Sequence, residues 1–381
     1  MIASIQHFKL HSQAQGGSAR IIRSLFAADH PPLLNIDTYF PPEPGPSSAE
    51  DLQLPLRPAM GRLEFTRLHT MLAWLDGVYG PRFERRLYRL LTERRIRLVH
   101  HLANGYTILP VYHVTARLGL PLFLTVHDDL EYVAAGHPLM DRMQIALAMA
   151  WRAANTVYVI SEELGKEYAS RYGTRKYQIV TDGLTLVTEK PLERPDHSIR
   201  LYFMGLFHQN YAPNFRAVLD ALQIVRRRRP DWVVTVTCRC GSIPVAIEQD
   251  DVPVSVLPFA PAEELDRDMQ TADVLYQPMP FQENAQAFSR FSLSTKMITY
   301  LGSGLPILYH GPEDAAACQL LERHQAAAIS NTLDPEAIAG QLIDATTHRD
   351  AIVRNALALA RSRFLLEDQQ KRFWEPIVAA L

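Results

Sequence analysis

Residues 288–313 read FSRFSLSTKMITYLGSGLPILYHGPE, and they hold one complete helix-to-strand unit. Ser292, Ser294 and Thr295 lead into a helical run that begins near Lys296. Hydroxyl residues favour that place because their oxygens accept from N–H groups that the first helical turn leaves unbonded. The run stops at Gly302 and Gly304, and Pro306 opens the next β-type segment, which is the usual stop chemistry of a helix. A helix start also attracts anions through its free N–H groups and positive dipole end. Hydroxyls and the Lys296 ammonium add donors suited to a diphosphate. A capped helix carrying an ordinary surface lysine is the other reading these residues allow.

The same alternation extends outward in both directions. In the second half, strands are expected at residues 200–204, 232–237, 254–257, 274–277 and 306–309, and helices at 214–227, 262–270 and 295–301. In the first half, strands are expected at 2–9, 96–102, 121–126, 156–160 and 177–180, and helices at 19–26, 107–118, 142–154 and 162–171. Residues 336–363 and 367–381 read as helical. Strands alternating with helices imply parallel sheets covered on both faces. Residues 186–198, polar with two prolines, read as a linker, and the Pro-rich segment 41–58 reads as a loop of the first domain. The expected fold is α/β: two tandem Rossmann-like, doubly wound domains facing a central cleft. They are placed at 1–190 and 199–363, with a C-terminal helix, 364–381, crossing back to the first. Ligands in such domains bind beyond the carboxyl ends of the strands. Pattern alone does not choose the chemistry, because the fold hosts many functions.

The chain has 381 residues, 47% hydrophobic and 21% charged, with a formal net charge of −2. That length suggests more than one core, and the composition is globular rather than disordered. The balanced charge gives no global field toward nucleic acid, so no nucleic-acid partner is expected. Cys238, Cys240 and Cys318 form neither a disulfide framework nor a zinc-ligand set, so reduced thiols in a cytoplasmic protein are expected. No basic-then-apolar leader opens the chain, and no run reaches the ~18 apolar residues of a membrane span.

The 288–313 stretch resembles the nucleotide-sugar-binding region of the GT-B glycosyltransferases, the family-4-like retaining enzymes in particular. Ser292, Ser294, Thr295, Lys296, Tyr300, Leu301, Gly304, Pro306, Ile307, Leu308, His310, Gly311 and Pro312 follow that pattern in order. Gly16-Gly17 with Ser18, Ala19 and Arg20 resembles the family's glycine loop, and Val159-Ile160-Ser161-Glu162, Asp182-Gly183, Gly205, Glu264-Leu265 and Ala272-Asp273-Val274 also fall in family order. The resemblance implies retaining transfer of a sugar from a nucleoside-diphosphate sugar, with no metal or other cofactor. The acceptor would be a glycan, a lipid-linked molecule or a small molecule. The first domain would face the acceptor and the second would hold the donor. Ser292, Ser294 and Thr295 would cradle the diphosphate while Lys296 offsets charge on the leaving group. Gly16, Gly17, Gly205, His208, Asn210, Phe259, Arg290 and Tyr300 are the further donor-binding candidates. Two features depart from the pattern. The paired glutamates of many relatives map to Phe291 and Thr299, and the loop Leu206-Phe207-His208-Gln209-Asn210 has no lysine or arginine. A non-catalytic nucleotide-sugar-binding partner protein and a nucleotide-sugar 2-epimerase are the alternative functions.

The stretch TVHDDLE, residues 125–131, ends a predicted strand at His127, where a cleft residue belongs. His127 and Asp128 could position a sugar hydroxyl, and with Lys296 they are the catalytic candidates. Asp128, Asp129 and Glu131 could instead offer oxygens to a hard cation, or could be solvated acids in a turn. The run from Arg82 to Arg97 carries seven arginines and two glutamates, a net charge of +5, with Phe83, Leu87, Leu90 and Leu91 along one side. It reads as a packed helix with a basic face, or as a basic amphipathic helix on an anionic membrane, at the inner face for a cytoplasmic enzyme.

Overall fold

The computed structural model describes residues 1–8, 10, 16–38, 51–66, 69–194, 197–242 and 252–381. Lys9, at the end of the first predicted strand, and residues 41–50 of the Pro-rich segment lie outside the described residues. The chain divides into two compact units, residues 1–182 with 366–381 and residues 183–365.

In the first unit the described strands are β1 (Ile2–Gln6), β2 (Leu33–Asp37), β3 (Asp51–Gln53), β4 (Leu98–Leu102), β5 (Leu122–Val126), β6 (Thr156–Val159) and β7 (Gln178–Ile179). They form one sheet in the order β3-β2-β1-β4-β5-β6-β7, and every pairing is parallel. β1, β2, β4 and β5 are buried along their whole length. Parallel strands covered on both faces read as apolar runs, which is why most were legible. The helices Gly17–Phe26 and Leu366–Ala379 pack together within this unit. Trp374 Nε1 donates to Leu25 O at 2.8 Å, Gln370 Nε2 donates to Ser24 O at 2.7 Å, and Tyr158 donates to Phe373 O at 2.8 Å.

In the second unit the described strands are β8 (Ser198–Met204), β9 (Val233–Arg239), β10 (Val254–Leu257), β11 (Val274–Pro278), β12 (Ile307–His310) and β13 (Ala328–Ser330). Their order is β10-β9-β8-β11-β12-β13, again with parallel pairing. Asp273, buried, receives both the Arg200 Nε and Nη2 donors, at 2.9 and 2.8 Å, and the Arg200 backbone N–H at 2.9 Å, tying β8 to the start of β11. The predicted helix 336–363 is two helices, Pro335–Thr347 and Arg349–Arg363, interrupted at His348. The expected linker is laced onto this unit: Thr188 N–H donates to Gly302 O and Leu192 N–H to Gly304 O, both at 2.9 Å. Gly304 takes φ +80°, and a Cβ there would come within 3.1 Å of Lys190 O, so both conformation and space demand glycine. The three cysteines are buried and unpaired. No helix among the described residues is long and apolar enough to cross a membrane.

In each sheet the order reverses at the unit's first strand, β1 or β8. Chain connections diverge there, which opens a crevice at the strand's carboxyl end.

Candidate functional site

In the second unit the residues around the end of β8 converge. Gly205 follows Met204 with φ +99°, and a Cβ on it would lie 3.3 Å from Lys296 Cε. The turn therefore needs glycine to admit the lysine side chain. Lys296 stands in the first turn of the helix Thr295–Leu301, its Nζ 5.2 Å from the ring centroids of both Phe203 and Tyr211. Aromatic faces stabilise a cation in part, but no carboxylate among the described residues pairs with this one. Burial lowers its pKa to about 8. The ammonium is charged at pH 7 yet poorly solvated, a state that a bound anion would relieve.

Ser294 is the N-cap, with no side-chain cap bond, and the first helical bond runs from Ile298 N–H to Ser294 O at 3.3 Å. The Thr295, Lys296 and Met297 N–H groups thus have no partner within the helix. With seven residues this helix has a small dipole, so the local donors matter more than the helix as a whole. His208 packs against Tyr211 and Phe288, at centroid distances of 5.4 and 6.1 Å. Partial burial, then the Lys296 charge, lower its pKa below the usual 6.5, so its ring is mostly neutral at pH 7. Asn210 lies in the turn Gln209–Tyr211 beside it. Phe259 is 41% exposed, and its ring sits 2.8 Å from where a Gly241 Cβ would be. An exposed aromatic ring over a glycine offers a stacking face for a planar group.

The remaining sequence candidates here differ in exposure. Tyr300 is buried, and its hydroxyl accepts from Met204 N–H at 3.1 Å, which braces the end of β8 and leaves it facing away from solvent. Arg290 is exposed over the Phe291 ring at 5.3 Å. Ser292 is buried, its N–H bonded to Phe288 O at 3.0 Å. His310 is clamped by Tyr276 Oη at 2.9 Å and Thr332 O at 2.8 Å, and burial pushes its pKa down to about 4. Thr299, at a position of the missing glutamate pair, turns its hydroxyl back to Thr295 O at 3.2 Å.

In the first unit, Gly16 caps and Gly17 begins the helix Gly17–Phe26, and Gly16 O accepts from Arg20 N–H at 3.0 Å. Gly16 has φ −65°, and a Cβ there would touch nothing within 4 Å, so the glycine leaves open space. Arg20 Nε, on the same turn, pairs with the buried Asp182 at 2.8 Å. His127 follows β5 and is 5% exposed, and neither ring nitrogen has a hydrogen-bond partner among the described residues. Burial pushes its pKa down to about 4. It is a neutral imidazole with one donor and one acceptor unused, and a buried polar group in that condition is costly unless a ligand completes it. Asp128 is half-buried and helps, after burial itself, to raise the pKa of Tyr132.

The acidic motif does not gather as a cation site. Asp129 caps the next turn by accepting Glu131 N–H at 2.8 Å, and Arg171 Nη1 holds Asp129 and Glu131 at 3.2 and 3.3 Å. Among the described residues no three His, Cys, Asp or Glu side chains are grouped to hold a metal. Sequence reasoning missed a polar chain inside the sheet. Ser4 donates to Gln6 Oε1 at 3.1 Å, so its oxygen accepts from His100 Nδ1 at 2.9 Å, and His100 Nε2 accepts from Thr125 at 2.8 Å. Burial first, then the nearby His101 and His127, push the His100 pKa down to about 3. Adjacent histidines in an otherwise apolar strand were the available signal.

Residues 52–187 match the sequence model of Glycosyltransferase Family 4. HepE of Anabaena, solved with UDP and glucose, superposes with a TM-score of 0.65 at 13% identity, over 99% of both chains. An α,α-trehalose-phosphate synthase (UDP-forming) from Burkholderia xenovorans, solved with glucose-6-phosphate, gives 0.65 at 12% identity, over 99% of both. The corresponding synthase from Burkholderia vietnamiensis gives 0.63 at 12%, over 100% of this chain and 98% of its own. The fold is that of the GT-B glycosyltransferases. At such identities the likeness is one of fold. No curated protein matches it in sequence.

Proposed function

We propose that this GT-B protein transfers a sugar, with retention, from a nucleoside-diphosphate sugar to a glycan, lipid-linked or small-molecule acceptor. The observation that carries the reading is Lys296: a desolvated cation without a carboxylate partner, beside a glycine turn and the hydroxyls of Ser294 and Thr295. In this reading the second unit binds the donor. Lys296, with donors from the turn, takes charge that develops on the departing diphosphate, and His208, Asn210 and Gly205 border it. Phe259 stacks on the base. Preorganised donors of this kind do the work assigned elsewhere to a metal, and no metal is invoked. The UDP complexes of HepE favour a UDP-linked donor. In the first unit His127 meets a sugar hydroxyl with its unused nitrogens, with Asp128 beside it.

The test is a panel of UDP-, GDP-, dTDP- and CDP-linked sugars, with thermal shift for binding and NMR for the anomeric product. Lys296→Ala should lower turnover ~100–1,000-fold, the usual cost of one such donor. His127→Ala should lower turnover while leaving UDP affinity unchanged, and equal loss of both would remove His127 from the sugar site. The neutral residues Phe291 and Thr299 favour a second reading, a nucleotide-sugar-binding partner without catalysis. Binding without turnover across the panel would select it, and epimerised free nucleotide sugar would select a 2-epimerase.

A further inference from the structure

The helix Trp74–Glu93 and the short helix His69–Leu72 before it expose large apolar and basic side chains. Met71, Trp74 and Val78 are 60%, 56% and 57% exposed. Arg82, Arg85 and Arg89, also exposed, continue the line. At helical spacing Trp74, Val78, Arg82, Arg85 and Arg89 fall within an arc of about 80° and span roughly 22 Å, and Met71 lies on the short helix His69–Leu72 just before them. Gly80, Phe83, Leu87 and Leu91 are buried on the opposite side. The apolar positions that suggested an amphipathic helix over the arginine run therefore face the core. The helix also ends at Glu93, before Arg94, Arg95 and Arg97. The exposed apolar residues lie earlier, on the same ridge as the arginines.

Two properties of this ridge need one partner. Three large apolar side chains aligned in water are unfavourable, and an aligned apolar patch marks an interaction surface. The arginines are available: among the described residues Arg85 and Arg89 form no ion pair, and the nearby Glu84 is engaged by His113 at 2.9 Å. The segment from Arg82 to Arg97, which runs past the end of the helix, carries +5 on a chain of net −2, so the charge is local. A polyanion such as nucleic acid would answer the arginines and leave Trp74, Met71 and Val78 in water. A bilayer with anionic headgroups answers both: tryptophan and aliphatic side chains enter the headgroup–acyl boundary, and the arginines meet phosphates. We propose that the Met71-to-Arg89 ridge docks the first unit on an anionic lipid bilayer. The inference is independent of the sugar-transfer reading, since it uses no residue of either candidate site.

The experiment uses the full chain and two vesicle preparations, phosphatidylcholine alone and phosphatidylcholine with about one-third phosphatidylglycerol. Co-sedimentation is expected only with the anionic vesicles, and weakens as salt screens the charges. Replacing Arg82, Arg85 and Arg89 together by Gln should lower the partition coefficient roughly 100-fold, at about fivefold per arginine. Trp74 emission should shift to the blue on binding and be quenched by brominated lipid, and Trp74→Phe should abolish both effects, because Trp151 and Trp374 are buried and Trp232 is half-buried against the core of the second unit. These positions are exposed, so the melting temperature of each variant should match the parent. Equal binding to neutral vesicles, undiminished binding of the triple variant, or bound protein with unchanged Trp74 emission would each overturn the proposal. So would retention on a polyanion without binding to vesicles.

Discussion

Placing the Lys296 ammonium against the donor diphosphate, as proposed, predicts a donor affinity that depends on pH. Its pKa in the free protein is about 8, lowered from the usual 10.5 by burial. About nine-tenths of molecules carry the charge at pH 7 and about one-tenth at pH 9. A diphosphate bound against the ammonium favours the charged form and draws its pKa back up. Binding then takes up a proton above pH 8, and linkage requires that affinity fall as pH rises. Between pH 7 and pH 9 the dissociation constant for UDP should rise about tenfold. His208 does not confuse the window, because its pKa lies below 6.5 and its ring is mostly neutral throughout. The assay is isothermal titration with UDP at closely spaced pH values, on the parent and on Lys296→Met. The variant shares every titration of the ligand, so the difference isolates the lysine. It should bind more weakly at pH 7 and show none of the excess pH dependence. Parallel curves for the two proteins would refute the assignment of Lys296 to the diphosphate. The same shift affects stability in a stated direction: the unfolded chain holds this proton up to 10.5, so removal of Lys296 should flatten a rise in stability between pH 8 and 10.5.

Gly205→Ala places a Cβ at φ +99° and 3.3 Å from Lys296 Cε, and should cost about 1–3 kcal/mol in urea unfolding while weakening UDP binding. Unchanged affinity would mean that the turn does not position the lysine. Asp273→Ala strips the Arg200 guanidinium of both its carboxylate bonds, and should destabilise the second unit by about 1.5–3 kcal/mol with little change in UDP affinity of the folded protein.

Local chemistry carried much of the reading. The helix entered at Ser294 and left at Gly302 was legible because capping and stopping depend on near neighbours in sequence. The buried runs of β4 and β5, and the largely buried ones of β6 and β8, were legible because a doubly covered strand must be apolar. β2 escaped notice because Asn35 and Asp37 break its pattern, and β3 because it has three residues. The Asn35 amide nitrogen finds its acceptor in the Asp51 carboxylate, at 3.1 Å on the neighbouring strand.

The sequence by itself determined two series of parallel strands, and a hydroxyl-rich turn carrying a lysine. Periodicity and capping are properties of adjacent residues, and no distant contact is needed to produce them. Only the tertiary structure decided which polar and charged side chains stay unpaired. Asp129 and Glu131 are taken by Arg171, Tyr300 by the backbone of Met204, and His310 by Tyr276 and Thr332. Lys296 and His127 have no such partner among the described residues. The physical reason is that a side chain's electrostatic fate depends on what the fold brings within a few ångströms of it, and those neighbours come from remote parts of the chain.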